Sequence, residues 1–420
     1  MATDAHPQVT AARQALGIET LARAPHRLLF FVGALNVLLA TAWWLCWLVN
    51  ARWQWVHLPQ PPLFAGWLHA TVMQYQLFPP FFFGFLLTVF PRWMGLKEFD
   101  RWHFVPVGAG LLGGQVATIA GAFSELQVLV QIGMFMTAAG WLTGLVLLGG
   151  KLREARAATQ GRHWHAWSCF VGMVFGFAGL LAAIVYLNLE DPRWMLASIK
   201  IGTYLMLVPV YFTVAHRMFP FFANNVVEGY SMWRPTWLIA VLWAAMLATC
   251  ILKITGDGQM AWSVEWLFSA ASAIALVRWW PRRKAPGLLR ILFIALAWMP
   301  IAFALIGAQD LLALTHPAVA HLGRGPLHGL YIGCFGGLMV AMVTRVTQGH
   351  SGRLLEMPTV AWWAFALIQI TAVIRVFTEI FRDPMAGFAL AALLWIVGFL
   401  PWVVRAGCIY LQPRADGKPG

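Results

Sequence analysis

The stretch "GPLHGLYIGCFGGLMVAMVT" at residues 325–344 decides the fold of this chain. It contains no Asp, Glu, Lys or Arg over twenty residues. At about 1.5 Å per residue, a helix of that length spans the roughly 30 Å hydrocarbon core of a bilayer. Its apolar residues are continuous, whereas a membrane β-strand alternates apolar and polar residues. The stretch therefore predicts a transmembrane helix.

Similar apolar runs fill the whole chain of 420 residues, which is 60% hydrophobic and 11% charged, with a mean hydropathy of +0.70. Because only helices and closed barrels satisfy the backbone inside a bilayer, we predict an all-α polytopic membrane bundle of about 12 transmembrane helices. The membrane domain is predicted at residues 28–408, between an N-terminal segment 1–27 and a tail 409–420. The apolar runs lie near residues 28–49, 63–90, 104–123, 126–149, 167–188, 194–215, 236–253, 261–279, 288–312, 327–347, 359–380 and 385–407.

The basic residues predict the orientation of these helices. Most of the 29 lysines and arginines fall in segments on one side of the predicted membrane, and cytoplasmic loops are the ones that carry such an excess. We therefore expect both termini in the cytoplasm (N-in/C-in) of a multi-pass protein of a bacterial inner membrane, surrounded by membrane lipid. The net charge of +13 is then a consequence of topology, and we predict no nucleic-acid partner.

Two histidines lie inside predicted helices, where ionisable residues are unfavourable and therefore candidates for function. His69 follows the start of the second helix and His328 the start of the tenth. Both helices run in the same direction, so both histidines lie near one membrane surface. Imidazole suits haem iron, and a helical bundle can enclose a porphyrin. A bis-histidine haem is one interpretation, and histidines hydrogen-bonded to neighbouring helices are the other.

Two further features of these helices leave alternatives open. Gly329, Gly333, Gly336 and Gly337 remove side chains from one face of the tenth helix. Close helix packing explains such a face, and a flat cofactor lying against the helix explains it equally well. Lys200 lies inside the sixth helix, where it either snorkels to the surface or pairs with a haem propionate or a buried acid.

The second, sixth and tenth helices share polar endings, "TVFPRW" at 88–93, "HRMFPFFANN" at 216–225 and "TRVTQGHSGR" at 344–353. His216 and His350 suggest a second, inner site. Arg217, Arg345 and Arg353 are candidates for binding haem propionates, a phosphate-like anion or buried acids, because guanidinium groups make planar multi-donor contacts. The alternative is an ordinary cytoplasmic turn that stabilises the helix ends.

These segments resemble the NnrS family of bacterial membrane proteins. The resemblance is carried by "WLHATVM…FGFLLTVFPRW" at 67–93, "HRMFPFFANNVV" at 216–227 and "PLHGLYIGCFGGLMVAMVTRVTQGHSGRLL" at 326–355. It implies a twelve-helix protein that contains haem, most simply b-type, and copper, and that is linked to nitric oxide metabolism and nitrosative stress. By this resemblance His69, His328 and His350 fall at motif histidines, taken here as candidate metal ligands, and Arg345 at a motif arginine.

The second-helix motif departs from the family pattern. The family usually reads like WHAHE, whereas this chain has "LHATV" at 68–72, so Thr71 and Val72 stand at the second histidine and the acid. One metal or haem position of the family is therefore not carried over.

The resemblance favours an inner-membrane haem protein, with or without copper, that binds or turns over nitric oxide in nitrosative-stress defence or denitrification, with a quinol or cytochrome as electron donor. A secondary transporter of a small anion or metal complex is the alternative, since broken helices and Lys200 suit one. A haem sensor or assembly factor without turnover is a third. The layout is similar to that of haem-copper oxidases, but their paired-histidine copper motif is absent from the sequence.

Overall fold

A computed structural model describes residues 17–55, 58–158, 161–316 and 322–417 of the chain. Residues 1–16 of the predicted N-terminal segment and 418–420 of the predicted tail therefore lie outside the described residues. The structure is 83% helical, and the described ranges contain no strand.

Within these ranges, 12 helices are long and apolar enough to cross a membrane, which confirms the predicted architecture. In chain order they are α1 (Pro25–Trp53), α2 (Ala65–Met94), α3 (Arg101–Ser124), α4 (Gln127–Ala157), α5 (Trp164–Leu189), α6 (Pro192–Val226), α7 (Trp237–Thr255), α8 (Gly258–Trp279), α9 (Gly287–Thr315), α10 (Gly325–His350), α11 (Thr359–Ile380) and α12 (Pro384–Tyr410). Successive helices alternate in direction. We call the end at which α2, α6 and α10 begin the His69 end, and the opposite end the His350 end.

The helices α2, α6 and α10 form the centre of the bundle. They have the largest buried shares of the twelve, at 89%, 67% and 72%, and they contact one another. The Gln74 amide of α2 donates to the Tyr331 hydroxyl of α10, and Tyr211 of α6 stacks on Phe335 of α10 with ring centroids 4.5 Å apart. The three helices with polar endings in the sequence are thus the three central helices of the bundle.

The other nine helices complete three closed rings of five around this centre. One ring contains α1, α2, α10, α11 and α12, the second contains α2 to α6, and the third contains α6 to α10; the contacts of α10 with α2 and with α6 close the first and the third. Each pair of rings shares one central helix. This arrangement places the start of α2 and the start of α10 in the same ring, which brings His69 and His328 to the same part of the bundle.

Each central helix also contains one π-helical segment, namely Met73–Leu77 in α2, Ile201–Leu207 in α6 and Gly329–Gly336 in α10. Such segments are rare and frequently occur at functional sites. In α2 the segment is followed by a bend at Phe78 and then by two prolines, which cannot donate backbone hydrogen bonds. His69 and His328 lie just before the π-helical segments of their helices.

The antiparallel pair α3 and α4 packs backbone against backbone. A Cβ atom added at Gly114 would lie 2.7 Å from the carbonyl oxygen of Gly133, and one at Gly110 would lie 2.7 Å from Cα of Gly140. The turn between the two helices passes through Glu125, which has a left-handed backbone with φ of 59°. The predicted division of this apolar region into two helices is confirmed.

Candidate functional site

His328 is held in one orientation by its own helix. Its Nδ1 lies 2.9 Å from the carbonyl oxygen of Arg324, one turn earlier in the chain. A carbonyl only accepts, so Nδ1 carries the hydrogen and donates it. The lone pair is then on Nε2, which hydrogen-bonds to no residue in the described ranges. A histidine that donates from one ring nitrogen to a backbone carbonyl has the arrangement typical of metal-ligating histidines.

His69 is held by stacking instead of hydrogen bonds. Its ring lies on the indole of Trp44 in α1, with ring centroids 4.1 Å apart and an interplanar angle of 15°. Its Nδ1 is buried without a hydrogen-bond partner. Buried polar atoms are normally satisfied, so an unpaired imidazole nitrogen suggests a missing partner. His69 and His328 lie close enough to interact electrostatically.

A buried arginine from α11 lies within electrostatic range of both histidines. Arg375 is only 7% exposed, and its charge and that of Arg324 act on the rings of His69 and His328. One of its nitrogens, Nη2, lies 3.4 Å from Glu379, whereas Nη1 is buried with no partner. The guanidinium also lies 4.2 Å from the ring centre of Phe388. Arg375 therefore has hydrogen-bonding capacity left for an anionic group.

A hydrogen-bonded network of three side chains lies near His328. The Gln74 amide donates to Tyr331 at 2.8 Å and to Thr203 at 3.0 Å, and the Thr203 and Tyr331 hydroxyls bond to each other. These residues lie in the π-helical segments of α2, α6 and α10, so the network joins all three central helices. The ring of Tyr331 meets that of His328 edge to face, 6.2 Å away.

The glycine face of α10 is filled by side chains of neighbouring helices. A Cβ atom at Gly333 would lie 2.5 Å from the indole of Trp298, and one at Gly336 would lie 2.9 Å from Trp395. Of the two explanations that the sequence left open for this face, the structure supports close packing.

His350 and His216 have different partners at the other end of the bundle. The ring of His350 packs on that of His26 in α1, with centroids 4.3 Å apart, and Arg92 Nη1 lies 3.4 Å from its Nε2. His216 Nδ1 instead lies 2.9 Å from His165 Nε2 of α5. The structure thus places the two histidines of the predicted inner site in two separate pairs.

The three candidate arginines also lie at the His350 end. Arg217 of α6 lies 4.4 Å from the ring centre of Trp93, and Arg345 of α10 lies 3.9 Å from that of Phe222. These cation–π contacts join the ends of α2, α6 and α10. Arg353 donates to the Gln412 side chain at 3.0 Å and has a buried Nη1 without a partner. Burial lowers the pKa of Arg353 from its usual value.

The comparison with protein families decides the identity of this architecture. A family model described as NnrS protein matches residues 20–414, which is nearly the whole chain. The chain belongs to the NnrS family. A comparison with curated proteins found no similar sequence. In the described part of this NnrS protein, His69 and His328 lie within electrostatic range of each other and of the buried Arg375.

The side chains at the His69 end of this NnrS protein include the donor types that bind a haem. His69 Nδ1 and Arg375 Nη1 are buried polar atoms without partners, and His328 has its lone pair on Nε2. Imidazole nitrogens and a guanidinium are the groups that bind haem iron and its propionates. For copper, no group of three or more His, Cys, Asp or Glu side chains comes together in the described part of the chain. Thr71 stands where the family motif has its second histidine, and its hydroxyl donates to the Trp67 carbonyl at 2.9 Å.

Sequence reasoning missed three contributors to these sites in the NnrS chain. Arg375 lies within the predicted apolar run 359–380 but is not among the predicted site residues, and the structure buries it in α11. His26 was assigned to the N-terminal segment 1–27, but α1 begins at Pro25 and buries it. Trp44 is one of 24 tryptophans, and nothing in the sequence distinguishes it as the one that stacks on His69. A single arginine in the apolar stretch "TAVIRVF" was the signal available for Arg375.

Proposed function

We propose that this protein is a haem protein of the bacterial inner membrane that binds nitric oxide. One observation carries the proposal: two imidazoles from α2 and α10 lie in one ring of helices with unpaired ring nitrogens, within electrostatic range of a buried arginine with an unpaired nitrogen. Membership of the NnrS family supports it at the level of the family. Copper and a quinol or cytochrome donor stay predictions from the resemblance.

The two histidines have different roles in this proposal. His328 would hold the haem iron permanently, because its bond to the Arg324 carbonyl fixes both tautomer and ring orientation. His69 would bind the iron exchangeably, because its ring is held by stacking on Trp44 and not by hydrogen bonds. The haem supplies an iron that binds a diatomic gas when one axial position is open. His69 is the residue that would move aside to let such a gas bind.

The experiment that tests the function is a nitric oxide titration of the purified, reduced protein followed by optical spectroscopy. We expect a Soret band that shifts on adding nitric oxide and saturates at one equivalent per haem. A Soret band that nitric oxide leaves unchanged contradicts the proposal. A colourless protein that binds nitrite favours the transporter alternative.

Arg375 is the residue that we expect to bind a haem propionate. Arg375→Gln should lower haem affinity about tenfold, because a hydrogen bond to a charged group contributes about 1.5–3 kcal/mol and about 1.4 kcal/mol corresponds to a factor of ten. Haem affinity is measured by titrating haem into apoprotein. The control is Arg193→Gln, which alters an arginine that is 89% exposed at the same end. Equal haem affinity in both variants would show that Arg375 does not bind the haem.

The proposed orientation has its own test. We propose that the His350 end faces the cytoplasm, because the excess of basic residues lies there. A C-terminal fluorescent protein fusion should then fluoresce, and a C-terminal alkaline phosphatase fusion should be inactive. The opposite pair of results would place the His69 end in the cytoplasm.

A further inference from the structure

A second group of ionisable side chains lies among α7, α8 and α9, in the ring formed by α6 to α10. The ammonium of Lys253 contacts two carboxyl groups, those of Glu265 and Asp310, and its distance to Glu265 Oε1 is 3.2 Å. Lys253 is the last residue of the predicted run 236–253, and the structure places it within α7 with only 11% of its side chain exposed. One ammonium thus lies between two acids from two different helices.

The two acids differ in burial and in hydrogen bonding. Glu265 is fully buried. Its Oε1 lies 3.2 Å from the Lys253 ammonium without hydrogen-bond geometry, and its Oε2 has no hydrogen-bond partner. It lies about 10 Å along α8 from the His69 end, at about 1.5 Å per residue. Asp310 accepts a hydrogen bond from Lys253 and keeps 16% of its side chain exposed. An ionised carboxylate without hydrogen bonds is strongly unfavourable in an apolar interior, and Lys253 can neutralise only one of the two.

Other ionisable groups lie further from the two acids. Lys200 and Tyr204 of α6 and Cys250 of α7 lie within electrostatic range. Lys200 makes no salt bridge with any acid in the described ranges. The Tyr204 hydroxyl and the Cys250 thiol are neutral at pH 7 in their ordinary state. In the described ranges the two carboxyl groups therefore share one ammonium at salt-bridge distance, that of Lys253.

We propose that Glu265 and Asp310 form a proton-binding site, in which Glu265 holds the proton while Asp310 pairs with Lys253. Binding forms one O–H bond on a Glu265 carboxyl oxygen. On release that bond breaks, the proton moves to an Asp310 oxygen, and it leaves through the exposed side of Asp310 to water at the His69 end. No electron is transferred. The ligand is a proton from the aqueous phase, and the site does not require haem.

Infrared spectroscopy of the purified protein in lipid tests this inference. A protonated carboxyl group has a C=O stretching band that ionised carboxylates lack, and the band shifts when the sample is moved to D₂O. We expect this band in the wild-type protein at neutral pH and its loss in Glu265→Gln. The matched control is Glu190→Gln, an exposed acid at the same end of the bundle, which should keep the band. Absence of the band from the wild type, or its persistence in Glu265→Gln, would overturn the proposal.

A second variant keeps the test decisive if Glu265→Gln does not fold. Asp310→Asn leaves Lys253 with Glu265 as its only acid, so Glu265 should ionise and the band should disappear. A band that persists in Asp310→Asn would show that the two acids do not share the site. The Soret band should be unchanged in both variants, so a failure here is distinguishable from a failure of the haem proposal.

Discussion

His328→Ala should abolish the Soret band of the purified protein. His328 is the better-fixed of the two imidazoles, since its Nδ1 donates to the Arg324 carbonyl at 2.9 Å and leaves Nε2 for a metal. Loss of even a supporting group commonly weakens metal binding about 10–100-fold, and loss of an axial ligand should weaken haem binding at least that much. The measurement is the haem-to-protein ratio after purification, together with haem titration of the apoprotein.

Two controls separate ligand loss from structural damage. His103→Ala removes an exposed histidine that bonds to Asp100 at 2.8 Å at the other end of the bundle, and it should keep full haem content. His328→Gly with added imidazole should regain the Soret band, because free imidazole can occupy the space of the missing side chain. A His328→Ala protein with unchanged haem affinity would refute the assignment.

Gly114→Leu should destabilise the bundle strongly. At this position a Cβ atom would lie 2.7 Å from the Gly133 carbonyl oxygen and 2.8 Å from the Thr137 backbone nitrogen. These are backbone atoms and cannot rotate away. Overpacking of a tight interior costs about 1–3 kcal/mol. The contact also involves Thr137, whose hydroxyl accepts from Gln76 of α2 at 3.0 Å, so the separation of α3 from α4 would disturb a central helix.

The measurement is the apparent melting temperature of the detergent-solubilised protein, with the yield of monodisperse protein on size exclusion. Gly150→Leu is the matched control, because a Cβ atom at Gly150 would meet nothing within 4 Å. We expect Gly150→Leu to melt at the wild-type temperature or slightly above it, since leucine favours helix more than glycine does. Equal melting temperatures for both variants would mean that α3 and α4 do not pack as described.

The architecture was largely predictable because each transmembrane helix is a local feature of the sequence. Twenty apolar residues predict a helix wherever they occur, and the twelve runs were all found. The special role of α2, α6 and α10 was also visible, through polar residues at 88–93, 216–225 and 344–353. The three closed rings were not predictable, because contacts such as that of α1 with α12 depend on packing between distant parts of the chain.

The candidate site was predictable only in part for the same reason. Histidine inside an apolar run is a local signal, so His69 and His328 were found. The partners of each histidine come from other helices, and no spacing predicts that Trp44 stacks on His69 or that His165 bonds to His216. The cluster of Lys253, Glu265 and Asp310 was missed because each residue lies alone in its own helix.

Electron paramagnetic resonance of the oxidised protein tests most directly whether His69 and His328 bind one iron. Two imidazoles on one haem iron give a low-spin ferric signal, whereas a single imidazole leaves the iron largely high-spin. We expect a low-spin signal in the wild type that becomes high-spin in His69→Ala, with the haem still bound through His328. A low-spin signal that persists unchanged in His69→Ala would contradict the account.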